Sequence, residues 1–172
     1  MKSFKNRAPD DDGTLGPTSW RIRALKESDL EAAMAIERVS FPSPWSKAAF
    51  RQELNNPYSH CWVALEPNVH ASERLAGYIC CWMITDEVQI MNLAICPVYR
   101  RHGVARRLLE FALADAMERG ARRAILEVRP SNAAALSLYQ SMQFREAGRR
   151  PRYYKDTGED AIIMLRRLVP DP

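Results

Sequence analysis

Arg100-Arg101-His102-Gly103-Val104-Ala105-Arg106 is a basic, glycine-containing loop that follows an apolar run and opens an amphipathic helix, and the fold turns on how it is read. A helix start offers backbone N–H groups without partners and a partial positive charge. Gly103 and Ala105 keep side chains out of the way, and the flanking arginines add charge. Taken alone, the loop is either a phosphate cradle or an ordinary strand-to-helix turn with a solvated arginine face.

Its surroundings favour the cradle. Upstream, His60 to Leu65, Leu75 to Ile84 and Val88 to Cys96 are strand candidates, the last two joined by Thr85-Asp86-Glu87. They predict an antiparallel meander whose third strand stops at Pro97 and delivers the chain into the loop. Downstream, a helix from Gly103 to Arg119 puts Ala105, Leu108, Leu109, Ala112 and Ala116 on one face, spaces Arg106 and Glu110 for a surface pair and takes Gly120 as its C-cap. Arg123 to Val128 reads as a buried strand and Asn132 as the N-cap of a helix through Met142, and residues 144–150 and 160–168 form a terminal hairpin.

Before the meander, Trp20 to Leu25 alternates like an edge strand, and Ser28-Asp29-Leu30-Glu31 is a capping box for a helix ending near Val39. Phe41-Pro42-Ser43-Pro44-Trp45-Ser46 makes a rigid turn, with Ser46 capping a second helix through Leu54. Residues 1–18 are polar and predict a disordered tail, leaving 19–169 as one domain. The 172 residues carry 25 basic and 21 acidic side chains for a net +4, a mild excess that suits a phosphate-bearing partner without establishing nucleic-acid binding. Cys61, Cys80, Cys81 and Cys96 lie in apolar runs with no C-x-x-C or His/Cys metal-ligand spacing, so they read as reduced core residues and no metal is expected. With no leader-like or membrane-spanning run, the expectation is a cytoplasmic protein without a membrane partner.

From Asn92 to Met164 the chain resembles the GNAT family of N-acetyltransferases. Arg100-Arg101-His102-Gly103-Val104-Ala105 fits that family's acetyl-CoA signature, with Ala105 in place of a second glycine. Sharper are Leu126-Glu127-Val128-Arg129, Ser131-Asn132, Leu138-Tyr139, Arg152-Tyr153-Tyr154, Glu159-Asp160-Ala161 and the turn from Phe41 to Ser46. Together they resemble the RimI branch, bacterial acetyltransferases of the N-terminal alanine of a small-subunit ribosomal protein, over roughly residues 20 to 168. The resemblance implies a mixed α/β GNAT fold: a central, mostly antiparallel twisted sheet of six or seven strands with about four helices and a cofactor cleft between the fourth and fifth strands. One departure concerns Gln143, where RimI-like sequences usually carry glycine; left-handed backbone there would cost about 1–2 kcal/mol.

The resemblance also implies site residues. Coenzyme A would lay its diphosphate on the N–H groups of Arg101, His102, Gly103, Val104, Ala105 and Arg106, its pantetheine arm along Leu93, Ala94 and Ile95, and a further contact on Asn132. Glu127 becomes the general base and Tyr139 the general acid. Trp45, Glu87, Tyr153 and Tyr154 are placed around the acceptor. Physical alternatives stand beside several of these. Glu127, an acid within Ala124-Ile125-Leu126-Glu127-Val128, could instead pair with Arg129 or Arg152. Tyr139 could simply pack beside Leu136 and Leu138, Trp45 could clamp helices to the sheet, Tyr153 and Tyr154 could be cross-strand packing, and Glu87 a solvated strand end.

The function expected is acetyl-CoA-dependent N-acetylation of a protein's N-terminal α-amine, most closely the terminal alanine of a ribosomal protein, by a monomer that makes no direct nucleic-acid readout. Two rivals are a GNAT enzyme for a lysine side chain or small amine, and a non-catalytic module binding acyl-CoA or RNA through its arginines.

Overall fold

A computed structural model describes residues 20–66 and 73–169; the expected tail over 1–18 lies outside the described residues. Strands β1 (Arg21–Ala24), β2 (Ser59–Leu65), β3 (Leu75–Ile84), β4 (Glu87–Ile95), β5 (Arg123–Val128), β6 (Arg145–Arg150) and β7 (Ala161–Arg167) form one seven-stranded sheet in the order β1-β2-β3-β4-β5-β7-β6. Every neighbouring pair is antiparallel except β4–β5. Helices α1 (Leu30–Ser40) and α2 (Lys47–Asn55) cover one face, and α3 (Val104–Glu118) covers the other, with α4 (Ala133–Ser141) linking β5 to the terminal hairpin.

The apolar periodicity of α3 drives its placement. Val104, Leu108, Leu109, Ala112, Leu113 and Ala116 are buried in one core with Ile79, Cys81, Val88 and Ile90, while Ala105 is only half-buried. Each buried leucine in such a stripe contributes about 1.5–3 kcal/mol. Arg106 and Glu110 approach to 3.8 Å on its outer face. On the opposite side Leu30, Ala33 and Ile36 of α1 and Phe50 of α2 pack with Val63 and Tyr78.

The start of α1 differs from the capping box expected at Ser28. Asp29 Oδ2 accepts the Lys26 amide at 2.8 Å, and both Asp29 oxygens take the Arg23 guanidinium at 2.7 and 2.9 Å. The chain therefore makes one 3₁₀ turn over Glu27–Asp29 before α1 begins. Ser46 does cap α2, accepting the Ala49 amide at 3.1 Å.

Two irregularities in the sheet make the cleft. β4 and β5 pair in parallel only from Glu87 opposite Arg123 to Ile90 opposite Leu126. Against β3, the register jumps from Cys81 opposite Ile90 to Cys80 opposite Asn92, so Met91 is the extra residue of a β-bulge. Beyond it β4 stays with β3 while β5 stays with β7, and the sheet forks.

The end of α4 shows how one strained residue serves that fork. Gln143 adopts φ 68, its N–H bonds Gln140 O at 3.0 Å, and Phe144 N–H bonds Tyr139 O at 3.0 Å, a Schellman closure. The Phe144 ring packs edge-on against Tyr139 at 5.8 Å, the apolar contact that accompanies this motif. Because left-handed backbone costs a non-glycine residue about 1–2 kcal/mol, part of which glycine returns as unfolded-state entropy, Gln143→Gly is expected to stabilise the fold by about 0.5–1 kcal/mol. A thermal melt showing a lower Tm for the variant would contradict this reading.

Candidate functional site

The fork opens a cleft of about 440 Å³ lined by residues from β4, β5, α1, α4, the turn after α1 and the hairpin before β7. Of the residues singled out in the sequence, Trp45, Leu93, Glu127, Asn132, Tyr139 and Tyr154 line it. Glu87 does not. It lies at the closed end of the fork, where β4 and β5 still pair, and its carboxylate accepts Arg123 Nε at 2.9 Å and Gln89 Nε2 at 2.8 Å. A strand start looked equivalent to a strand end because the parallel pairing that closes one side is invisible locally.

Backbone direction sorts the β4 residues. Cys96 N–H bonds Ala76 O at 2.8 Å, so Cys96 faces β3 and, by alternation, Ala94 does too, whereas Leu93 and Ile95 turn their N–H and C=O groups to the open edge. Arg100 Nε reaching Ile95 O at 3.2 Å agrees with that direction. Between them, the backbone of Ala94 belongs to the β3 ladder and its methyl is buried.

The basic loop leads from β4 into α3. Arg101 and Gly103 both have left-handed backbone, φ 67 and 78, and Gly103 is the N-cap of α3. A Cβ at Gly103 would meet nothing within 4 Å, so the glycine is favoured by its φ and not by packing. Among the described residues the amides of Arg101, His102, Gly103, Val104, Ala105 and Arg106 donate no hydrogen bond; the first amide of the helix to find a carbonyl is that of Arg107, to Gly103 O at 3.0 Å. His102 Nδ1 lies 2.8 Å from Arg100 O, and Arg106 donates to Ser141 Oγ at 2.7 Å. Six consecutive free donors at a helix start match a diphosphate. They and the open edge of β4 fit the nucleotide and the arm of one extended, anionic molecule.

Glu127 projects from β5 at the fork with its side chain about a quarter exposed. Its ion pair is with Arg150 of β6, at 2.9 Å, rather than with Arg129 or Arg152. Glu127 also acts on the Tyr153 hydroxyl, whose pKa it raises. Arg129 turns instead to the hairpin: it holds Asp156 through both oxygens at 2.9 and 2.8 Å, reaches Thr157 Oγ1 at 2.8 Å, and stacks its guanidinium 3.8 Å over the ring of Tyr154. Tyr153, edge-on to Tyr154 at 5.2 Å, sits just outside the cleft lining. Tyr154 is pushed up to about 12 by burial, with Arg129 opposing.

Tyr139 is buried at the cleft wall, and burial above all pushes its hydroxyl well above the usual tyrosine range. Asn132 does what a cap does, accepting Ala135 N–H at 3.1 Å, while still lining the cleft.

One residue of the cleft is not among those the sequence singles out. Glu37 of α1 is 1% exposed, and its carboxylate accepts from Tyr78 Oη, from Asn92 Nδ2 at 3.2 and 3.3 Å, and from the Trp45 amide at 2.9 Å. It ties the turn after α1 to β3 and the β4 bulge. The signal was present: Leu30, Ala33 and Glu37 share the buried face of α1, and an acid at a core position needs partners.

The model of the acetyltransferase (GNAT) family matches residues 30–144. The chain is 40% identical over 148 residues to a protein of Bacillus subtilis (strain 168), covering 86% of this chain and 95% of that one. It is 37% identical over 145 residues to the ribosomal protein bS18-alanine N-acetyltransferase of Escherichia coli (strain K12), covering 83% and 94%. The crystal structure of the ribosomal-protein-alanine N-acetyltransferase from Escherichia coli superposes with a TM-score of 0.79 at 33% identity, covering 90% of this chain and 97% of that one.

Proposed function

This chain belongs to the GNAT family of acetyltransferases, and from that premise we propose that it transfers acetyl from acetyl-CoA to a protein's N-terminal α-amine, the terminal alanine of ribosomal protein bS18 being the acceptor. The carrying observation is the fork between β4 and β5, which sets a free strand edge, Glu127 and Tyr139 around one cleft. Relatives of matching length bearing that activity support the acceptor class.

When bound, acetyl-CoA supplies the thioester whose acetyl group is transferred. The amides of Arg101 to Arg106 hold its diphosphate, and the N–H and C=O groups of Leu93 and Ile95 orient the arm, with a Leu93 N–H placed to stabilise negative charge on the thioester oxygen. Glu127, steadied by Arg150 and Tyr153, takes the proton of the acceptor amine directly or through a water. A terminal amine near pKa 7.7–8.0 makes that a small task compared with lysine near 10.4. Tyr139 Oη holds the proton for the departing sulfur.

The raised pKa of Tyr139 fixes the sign of a pH effect. A general acid is competent below its own pKa, so an upward shift moves its loss to higher pH. In the enzyme, kcat is expected to hold its plateau up to about pH 10 without falling through the range of an ordinary tyrosine. An alkaline limb below that, with the fold intact by circular dichroism, would remove Tyr139 from the role.

The acceptor is tested by offering a terminal-alanine peptide beside its pre-acetylated form and a counterpart whose only free amine is an internal lysine. Acetylation of the first alone is expected. Equal turnover of the lysine peptide would overturn the α-amine assignment.

A further inference from the structure

We propose that Cys61 and Cys80 are a modification site: a peroxide converts them to a reversible intramolecular disulfide that loosens the turn at Trp45. The two face each other across β2 and β3. Leu25 N–H bonds Cys61 O at 2.9 Å and Met83 N–H bonds Tyr58 O at 2.8 Å, so by alternation Cys61 points its backbone at β1 and Cys61–Cys80 is a non-hydrogen-bonded pair. In that pairing the Cα atoms lie about 4.5 Å apart, inside the window a disulfide needs.

The two thiols differ in access. Cys80 is fully buried, whereas Cys61 is half-buried near the edge of the sheet, where it lines a cavity of about 240 Å³ with Ser59, His60 and Glu53. Ser59 Oγ lies 3.5 Å from Cys61 Sγ. Contact with the Cys80 thiol draws the Cys61 pKa down, while burial pushes Cys80 up, so Cys61 is the sulfur that attacks first.

The chemistry balances in two steps. Cys61 sulfur attacks one peroxide oxygen, an S–O bond forms as the O–O bond breaks, and the first water leaves; sulfur is oxidised by two electrons and the peroxide reduced. Cys80 sulfur then attacks Cys61 sulfur, the S–S bond forms as the S–O bond breaks, and the departing oxygen takes the Cys80 proton as the second water. A thiol reductant reverses the bond by exchange.

Cys80 is also the residue opposite Asn92 on β4, and Asn92 donates to the Glu37 carboxylate that holds the Trp45 amide. Drawing Cys80 toward β2 therefore pulls on the row that ends at the cleft.

The test uses the full chain under native conditions, treated with hydrogen peroxide, then denatured and alkylated. Expected are two alkyl groups on a chain that takes four when reduced, the loss of two hydrogens in intact mass, a Cys61–Cys80 cross-link on peptide mapping, and reversal by dithiothreitol. Cys61→Ser should leave its three remaining thiols alkylatable. Four alkylated thiols after treatment, or a bridge through Cys81 or Cys96, overturns the site. Hydrogen exchange in the segment containing Trp45 should be faster in the bridged protein than in the reduced one, and unchanged exchange overturns the link to the cleft. Both measurements are independent of acetyl transfer, so they stand or fall apart from the acceptor assignment.

Discussion

Tyr139→Phe is expected to lower kcat by about 100- to 10,000-fold while leaving acetyl-CoA affinity within about twofold. Among the described residues nothing hydrogen-bonds to the Tyr139 hydroxyl, and the ring is held by Phe144 and the Schellman closure at the end of α4. Removing one oxygen therefore leaves packing intact and takes away only the proton. Glu127→Gln should cause a fall of similar size, because the amide keeps the shape and loses the basic oxygen. The pair separates by pH. Once the medium rises above the acceptor's own pKa of about 7.7–8.0, the amine arrives already neutral and the Glu127→Gln deficit shrinks. The Tyr139→Phe deficit does not, since no change of pH restores a missing donor. Rate profiles of both variants with the terminal-alanine peptide check this, and full turnover in either removes that residue from the chemistry.

That contrast reflects what was legible in the sequence. β3 and β5 fall on the residues their apolar runs predict, Ser46 caps α2, and the loop from Arg100 to Arg106 opens α3, because each depends on neighbours within one turn or one pleat. What the sequence hid was set across the sheet. Glu127 meets Arg150, 23 positions away, only because β5 pairs with β7 and β7 with β6. Glu87 and Glu127 look alike as acids on apolar strands, yet parallel pairing places one at the closed end of the fork and the other at its mouth. Glu37 and Asn92 lie 55 residues apart and meet because the bulge at Met91 resets which β4 side chains face α1. Gln143 is the reverse case: the resemblance marks it as a position where glycine usually stands, a local feature, and the structure gives it left-handed backbone at φ 68.

Arg129→Ala is expected to raise the acceptor peptide's KM by on the order of 30- to 100-fold, the scale of misplacing a substrate-positioning group, while the KM for acetyl-CoA stays within about twofold. The Arg129 side chain is only 19% exposed, and its guanidinium joins the end of β5 to the hairpin before β7 through Asp156, Thr157 and the ring of Tyr154. It holds the Asp156 carboxylate below the usual range, and a 3.6 Å approach to Glu159 adds a second acid. Without it the Asp156 and Glu159 carboxylates are left without their shared cation, the hairpin is expected to swing, and Tyr154 to leave the cleft wall. The loop proposed to hold the diphosphate leads into α3 and shares none of these contacts, which is why the donor should bind as before. Arg129→Lys keeps the charge but neither the fork to Asp156 nor the flat stack on Tyr154, so it should recover only part of the loss. A purely structural role predicts a different pattern, with Tm falling and both KM values rising together, and that outcome would take Arg129 out of acceptor positioning.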